Sequence, residues 1–237
     1  MIKFASYNIR KSIGTDRKRQ PERIMQILAE LDADVVALQE VDRRFGQRAT
    51  TLSPDLLVDF THYMPVRFGI REQSLGWHGN VLLVKKGIRV ANEQRIELPA
   101  FEPRGAVMAD VLIGDAAVRV VGMHLGLLGN SRTKQAEAIV ARLEQLEGKM
   151  PTVIMGDLNQ WAKNGKSLAA FAKHHDVITP GPSFHSRRPM LELDRIIVSR
   201  DFRVEANGVH HSALARTGSD HLPVWATLSL LRSEAAA

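Results

Sequence analysis

The 237-residue chain contains no cysteine. It can therefore form neither a disulfide framework nor a thiolate metal site, and any ion it holds must be met by oxygen or imidazole, which favours a hard cation. Aromatic residues make up only 5% of it, leaving few flat surfaces for unpaired bases to stack on. A dedicated single-strand binder is disfavoured. No apolar run is long enough to cross a bilayer, and the opening segment MIKFASYNIR lacks the apolar core and small-residue cleavage site of a secretory signal. The expected location is the cytoplasm. No short repeat, low-complexity block or Pro/Gly/Ser-rich linker divides the sequence, so one domain over residues 1–232 is expected, with a flexible tail at 233–237.

What the chain does have is positive charge. A formal net charge of +6 and a pI near 9.8 imply attraction to an anionic partner, whether nucleic acid, a phospholipid surface or a small phosphate ester.

Hydrophobic patterning predicts strands at Ile2 to Ile9, Asp34 to Glu40, Asn80 to Val84, Val107 to Ile113, Val118 to His124, Thr152 to Met155, Arg195 to Ser199 and Val224 to Leu230. Helical spacing predicts helices from Pro21 to Leu31, from Arg132 to Glu147 and from Ser167 to His174. Phe45 to Trp77 has weak periodicity and reads as irregular or partly helical, bordering a site. Two long helices among so many strands argue for a sandwich of two sheets flanked by helices.

Polar residues gather at the strand ends. Asn8, Glu40 and His124 close predicted strands, Gly156-Asp157-Leu158-Asn159 follows another, Asp194 precedes one and Ser219-Asp220-His221 precedes the last. Hydrolysis of a phosphate ester needs charge neutralised on the phosphoryl oxygens, a water aligned with the leaving oxygen, and help for the leaving group. Glu40, Asp220 and Asn8 would make a partial oxygen shell suited to magnesium. Asp157 and Asn159, two apart, are expected to face one cleft by strand alternation, and Asp194 is the expected carboxylate partner of His221. Taken singly, each has a structural reading: a solvated strand-end acid for Glu40, a satisfied core histidine for His124, turn formation for Asp157 and Asn159.

As an ordered set these segments resemble the endonuclease/exonuclease/phosphatase superfamily: Tyr7-Asn8, Leu38-Gln39-Glu40-Val41, Gly79-Asn80, His124-Leu125, Gly156-Asp157-Leu158-Asn159, Leu193-Asp194-Arg195-Ile196 and Ser219-Asp220-His221-Leu222-Pro223-Val224. The resemblance implies an α+β, four-layer α-β-β-α sandwich of two mainly antiparallel sheets. It implies a hydrolase of phosphate esters that uses Mg2+, with Mn2+ as substitute. It assigns Glu40 to the metal with Asn8 and Asp220 close by, and the attacking water to Asp157 and Asn159. His221, paired with Asp194, contacts the phosphate or serves as base, and His124 is a second phosphate-contacting histidine.

Departures narrow the branch. Met123-His124-Leu125-Gly126 and Gln39-Glu40-Val41-Asp42 stand where abasic-site endonucleases carry Tyr-x-Pro-Asn and Gln-Glu-Thr-Lys, which disfavours abasic-site repair. Trp77-His78-Gly79-Asn80 offers no glutamate to pair with His124, which therefore needs another partner. The compact Glu102-Pro103-Arg104-Gly105 segment and the Arg132 to Gln135 helix start resemble small bacterial members. Asn80 and Arg104 are expected to reach the substrate phosphate. Nucleic acid is the first substrate expectation, from the basic loop Arg10 to Arg19, Arg43, Arg44 and Trp161. A phospholipid headgroup or small phosphate ester is the second, membrane lipid entering only as substrate; a non-catalytic binding domain is the third. No obligate protein partner is inferred.

Overall fold

The computed structural model describes residues 1–99 and 102–231; the tail expected at 233–237 lies outside them. The elements are β1 (Ile2–Asn8), α1 (Pro21–Leu31), β2 (Val35–Gln39), α2 (Pro54–Phe60), β3 (Tyr63–Val66), β4 (Val81–Lys85), β5 (Arg89–Glu97), β6 (Gly105–Ile113), β7 (Ala116–His124), α3 (Gly129–Glu144), β8 (Thr152–Asp157), α4 (Lys166–Ala172), β9 (His175–Ile178), β10 (Asp194–Ser199), β11 (Phe202–Val209), α5 (Ala213–Gly218) and β12 (Val224–Leu230).

Two six-stranded sheets form, ordered β11-β12-β1-β2-β4-β3 and β5-β6-β7-β8-β10-β9. Each has a single parallel pair, β1 with β2 and β7 with β8, and all other neighbours are antiparallel. A parallel pair needs a crossover, supplied here by α1 and α3. The two orders match position for position, with β1-α1-β2 standing where β7-α3-β8 stands, so the sandwich repeats one plan twice.

Alternation along the strands builds the layers. In β7, Val118 and Val120 pack in the core shared with the first sheet, whereas Val121 and Met123 pack with Ala136 and Ile139 of α3 and Phe171 of α4. In β8, Val153 and Met155 face the first group and Ile154 the second. The apolar stripe of α1, Ile24, Ile27, Leu28 and Leu31, is fully buried on the first sheet. Helices thus cover the outer faces of two packed sheets, giving the expected α-β-β-α order.

Two local differences from the sequence reading have clear causes. Helix α3 runs from Gly129 to Glu144, three residues earlier than expected at each end. Arg132 and Gln135 lie inside it and are buried: Gln135 accepts from the Gly126 N–H (2.8 Å), and Arg132 donates to the carbonyls of Leu127 (2.5 Å) and Gly126 (3.4 Å). These bonds hold the loop after His124 against the helix start. The segment expected to be irregular or partly helical holds the helix α2, with Ser53 capping it through the Leu56 N–H, and also the strand β3, which was not expected.

Candidate active site

The C-terminal ends of the two parallel pairs meet at one edge of the sandwich. In the first sheet Asn8 stands opposite Gln39, so Glu40 is the next residue beyond β2. In the second, His124 stands opposite Asp157, and Asp194, the first residue of β10, is opposite Asp157 on its other side. The Ser219 hydroxyl donates to the Asn8 carbonyl (2.7 Å), which brings Asp220 and His221 to the same edge just before β12.

Asp157 is the hub. The Asn8 side-chain amide donates to its Oδ2 (3.0 Å), and Nε2 of His124 and of His221 lie 3.4 and 3.5 Å from the same oxygen. Its Oδ1 accepts from the backbone N–H of Asn159 (2.9 Å). Strand alternation is not what joins Asp157 to Asn159. Asn159 has left the strand with φ +51°, and its amide donates to the Leu125 carbonyl (2.9 Å), so a turn folds it back and ties β8 to β7. The preceding Gly156 is required for a different reason: a Cβ there would lie 1.9 Å from the Met123 carbonyl oxygen.

Behind the hub, His221 Nδ1 donates to Asp194 Oδ2 (2.8 Å), which also accepts from the Ser183 hydroxyl (2.5 Å). Asp194 is fully buried. Burial works against the imidazolium of His221, but the charges of Asp194, Asp157 and Asp220 outweigh it and raise its pKa to about 10. His124 goes the other way: burial, helped by the nearby Arg104 and His221 charges, outweighs Asp157 and lowers its pKa to about 3. One imidazole is therefore a cation and the other neutral at pH 7.

The partner that His124 lacked in sequence is Arg104, whose Nη1 lies 3.0 and 2.9 Å from the two ring nitrogens. Arg104 also pairs with Glu102 at 3.2 Å. Asn80 is buried with both amide N–H groups engaged by the carbonyls of Trp77 (3.2 Å) and Gly105 (3.0 Å). It has no N–H left for a phosphate in this arrangement and works as a staple between β4 and β6.

Glu40 and Asp220 lie at the rim. Burial would raise the Glu40 carboxyl, but the Lys11 ammonium bonded to it, with the charges of Arg44 and Arg104, holds it below the usual range. Asp220 pairs with Arg10 at 3.4 Å. Lys11 and Arg10 belong to a turn, Arg10–Ser12, in which three consecutive residues have positive φ. Glu40, Asp220 and the Asn8 amide oxygen are a hard, oxygen-only donor set, which fits magnesium. Asp157, Asp194 and His221 also present ligand atoms within 4.8 Å of one another. Within that trio His221 Nδ1 is already engaged by Asp194 Oδ2.

Sequence reasoning missed Ser183, Lys11 as the partner of Glu40, and the contact of Arg104 with His124. Ser183 carries no local signal, being eleven residues from Asp194 in a stretch without periodicity.

The family model described as the Endonuclease/Exonuclease/phosphatase family matches residues 5–221. No curated protein matches the chain. Among solved structures, a mannosyl-6-phosphatase from Bacteroides thetaiotaomicron is 18% identical with a TM-score of 0.75, over 97% of this chain and 100% of that one. The human Nocturnin catalytic domain with bound sulfate is 19% identical with a TM-score of 0.76, over 97% and 94%. TDP2 from D. rerio, complexed with a single-strand DNA product, is 16% identical with a TM-score of 0.73, over 96% and 98%. At these identities the likeness shows a shared fold.

Proposed function

Because the chain belongs to the endonuclease/exonuclease/phosphatase family, it is a phosphoesterase hydrolase, and we propose that it cleaves phosphodiesters with a water activated at Asp157 and magnesium as its ion. The observation that carries this reading is the convergence of Asn8, His124 and His221 on one oxygen of Asp157 within 3.0–3.5 Å.

The geometry supports a division of work. Asp157 is fixed through both oxygens, by Asn159 and Asn8, so its carboxylate can accept the proton of a water without first reorganising. His221 has committed Nδ1 to Asp194, which leaves Nε2–H facing the reacting phosphate as a donor to its oxygens. Arg104, held against His124, supplies a second positive group on the opposite flank. Glu40, Asp220 and Asn8 would hold the ion, which when bound supplies Lewis-acid polarisation of a phosphoryl oxygen. Water attacks phosphorus, its proton passes to Asp157, the bond to the leaving oxygen breaks, and that oxygen takes up a proton from solvent.

Nucleic acid as substrate is supported by the basic turn at Arg10 and Lys11 and by Trp161, 65% exposed just past Asn159. A second reading, hydrolysis of a small phosphate ester or lipid headgroup, is favoured by one observation, a cavity of about 380 Å³ beside Glu40 and His124.

The test is a magnesium-dependent panel: the bis- and mono-esters of nitrophenyl phosphate, supercoiled DNA, RNA and phosphatidylcholine vesicles. Turnover of the bis-ester above the mono-ester is expected, abolished in Asp157→Asn. Equal turnover by wild type and Asp157→Asn would overturn the assignment.

A further inference from the structure

The cavity beside the reaction centre is more basic than one phosphate requires. Lys11, Arg43, Arg44, Arg48, Arg71 and Arg104 line it, against Glu40, Asp42 and Glu102. Three of the cations are matched: Lys11 and Arg44 face Glu40, and Arg104 pairs with Glu102. Asp42 is turned to the 74–76 segment, accepting from the N–H groups of Leu75 (3.1 Å) and Gly76 (2.9 Å) and from the Ser74 hydroxyl (3.1 Å). Burial pushes its carboxyl up, and these hydrogen bonds pull it back down.

Arg43, Arg48 and Arg71 remain. Among the described residues none of them makes an ion pair with a carboxylate. They are also gathered rather than scattered: an Arg71 N–H donates to the Gly46 carbonyl, so it meets the 43–48 segment from the other side of the cavity. Like charges brought together without counter-charge repel, and the arrangement is relieved by an anion that several guanidiniums can share. Phosphate is such an anion, with up to two negative charges and oxygens matched to guanidinium forks.

The reacting phosphate does not meet this need, because its place is at Asp157, His124 and His221. Resting on the reading of those residues as the reaction centre, we propose that the substrate carries a second phosphate, seated by Arg43, Arg48 and Arg71 next to the phosphate that is attacked. A cavity of about 380 Å³ has room for one phosphorylated sugar or polyol unit, bounded on its apolar side by Trp77, Ile70 and Pro103. The phosphate can come from two sources, the next link of a nucleotide chain or a bisphosphorylated polyol headgroup.

Calorimetric titration of the full-length Asp157→Asn protein tests this without turnover. The first pair of probes is the dithymidine monophosphate TpT against its 5′-phosphorylated form pTpT, and the second is inositol 1-phosphate against inositol 1,4-bisphosphate. The second phosphate should tighten binding on the order of tenfold in at least one pair. The pair that gains names the source. Adding Arg48→Gln and Arg71→Gln should reduce that gain to below about threefold. Lys149→Gln with Lys173→Gln, which removes equal charge from exposed positions outside the cavity, should leave it intact. No gain in either pair, or a gain that survives loss of Arg48 and Arg71, overturns the proposal; so does a gain lost equally with the two lysines. Failure of wild-type hydrolysis, by contrast, would strike the Asp157 assignment and leave these binding ratios readable.

Discussion

Nδ1 of His221 lies 2.8 Å from Oδ2 of Asp194, and neither side chain is more than slightly exposed. Removing the charge of Asp194 leaves a buried imidazolium without its counter-charge. Asp194→Asn should lower kcat by on the order of a hundredfold or more with little change in KM. It should also cost about 3 kcal/mol or more of stability, the usual result of breaking a buried pair from one side. Steady-state kinetics and urea unfolding on the same preparation check both.

His124 makes stability depend on pH in the opposite sense to His221. Its folded pKa, about 3, lies below the ordinary histidine value, so its contribution is complete above about pH 6.5 and is lost as pH falls from there toward 3. Between pH 7 and pH 5, wild type should lose about 2 kcal/mol more than His124→Gln in parallel urea titrations. Equal losses would show that the imidazole is not held neutral.

Ion binding should stabilise the fold through Glu40 and Asp220. Millimolar magnesium is expected to raise the thermal midpoint of wild type, chelation to reverse this, and Glu40→Gln to abolish the response. Lys11→Met removes the ammonium now bonded to Glu40, so half-saturation in the same thermal titration should move to lower magnesium.

Gly156→Ala should be among the most damaging single changes in the chain. The added methyl would sit 1.9 Å from the Met123 carbonyl oxygen, inside the parallel pairing of β7 with β8, where neither backbone can retreat. A loss of about 3 kcal/mol or more, or failure to fold, is expected in chemical denaturation.

The ion pair between Asp110 and Arg119 is a stability test remote from the reaction centre. They stand opposite one another in β6 and β7, with Arg119 Nε 2.8 Å from Asp110 Oδ1 and both side chains 9% exposed. Arg119→Met leaves the carboxylate without its counter-charge, with only the Asn92 amide donating to it (3.0 Å), and should destabilise by about 3 kcal/mol, while kcat at 25 °C stays close to wild type.

How much of this was legible in the sequence follows a physical division. Every strand recognised from hydrophobic pattern lies inside a sheet, and the four that escaped, β3, β5, β9 and β11, are the four edges. An edge strand packs less and pairs on one side only, so its sequence need not be apolar: β5 reads Arg-Val-Ala-Asn-Glu-Gln-Arg-Ile-Glu and buries a single residue fully. β3 even carries Pro65. The candidate site residues stand out in the sequence because they sit at the ends of buried strands, where a polar side chain interrupts an apolar run. Their partners do not. Ser183 and Lys11 lie in irregular segments, and only the folded chain shows that one reaches Asp194 and the other Glu40.

The two sheets hold different halves of the same centre. Asn8 comes from one and Asp157 from the other, and a 3.0 Å hydrogen bond joins the two side chains. They are packed tightly enough that a Cβ on Gly122 would come within 3.1 Å of Leu82 and 3.3 Å of Ala37 across the interface. Catalysis is therefore a gauge of alignment between two layers. A slip of less than an ångström would part Asn8 from Asp157 while leaving every strand paired, so activity should fade in mild denaturant before circular dichroism registers any change.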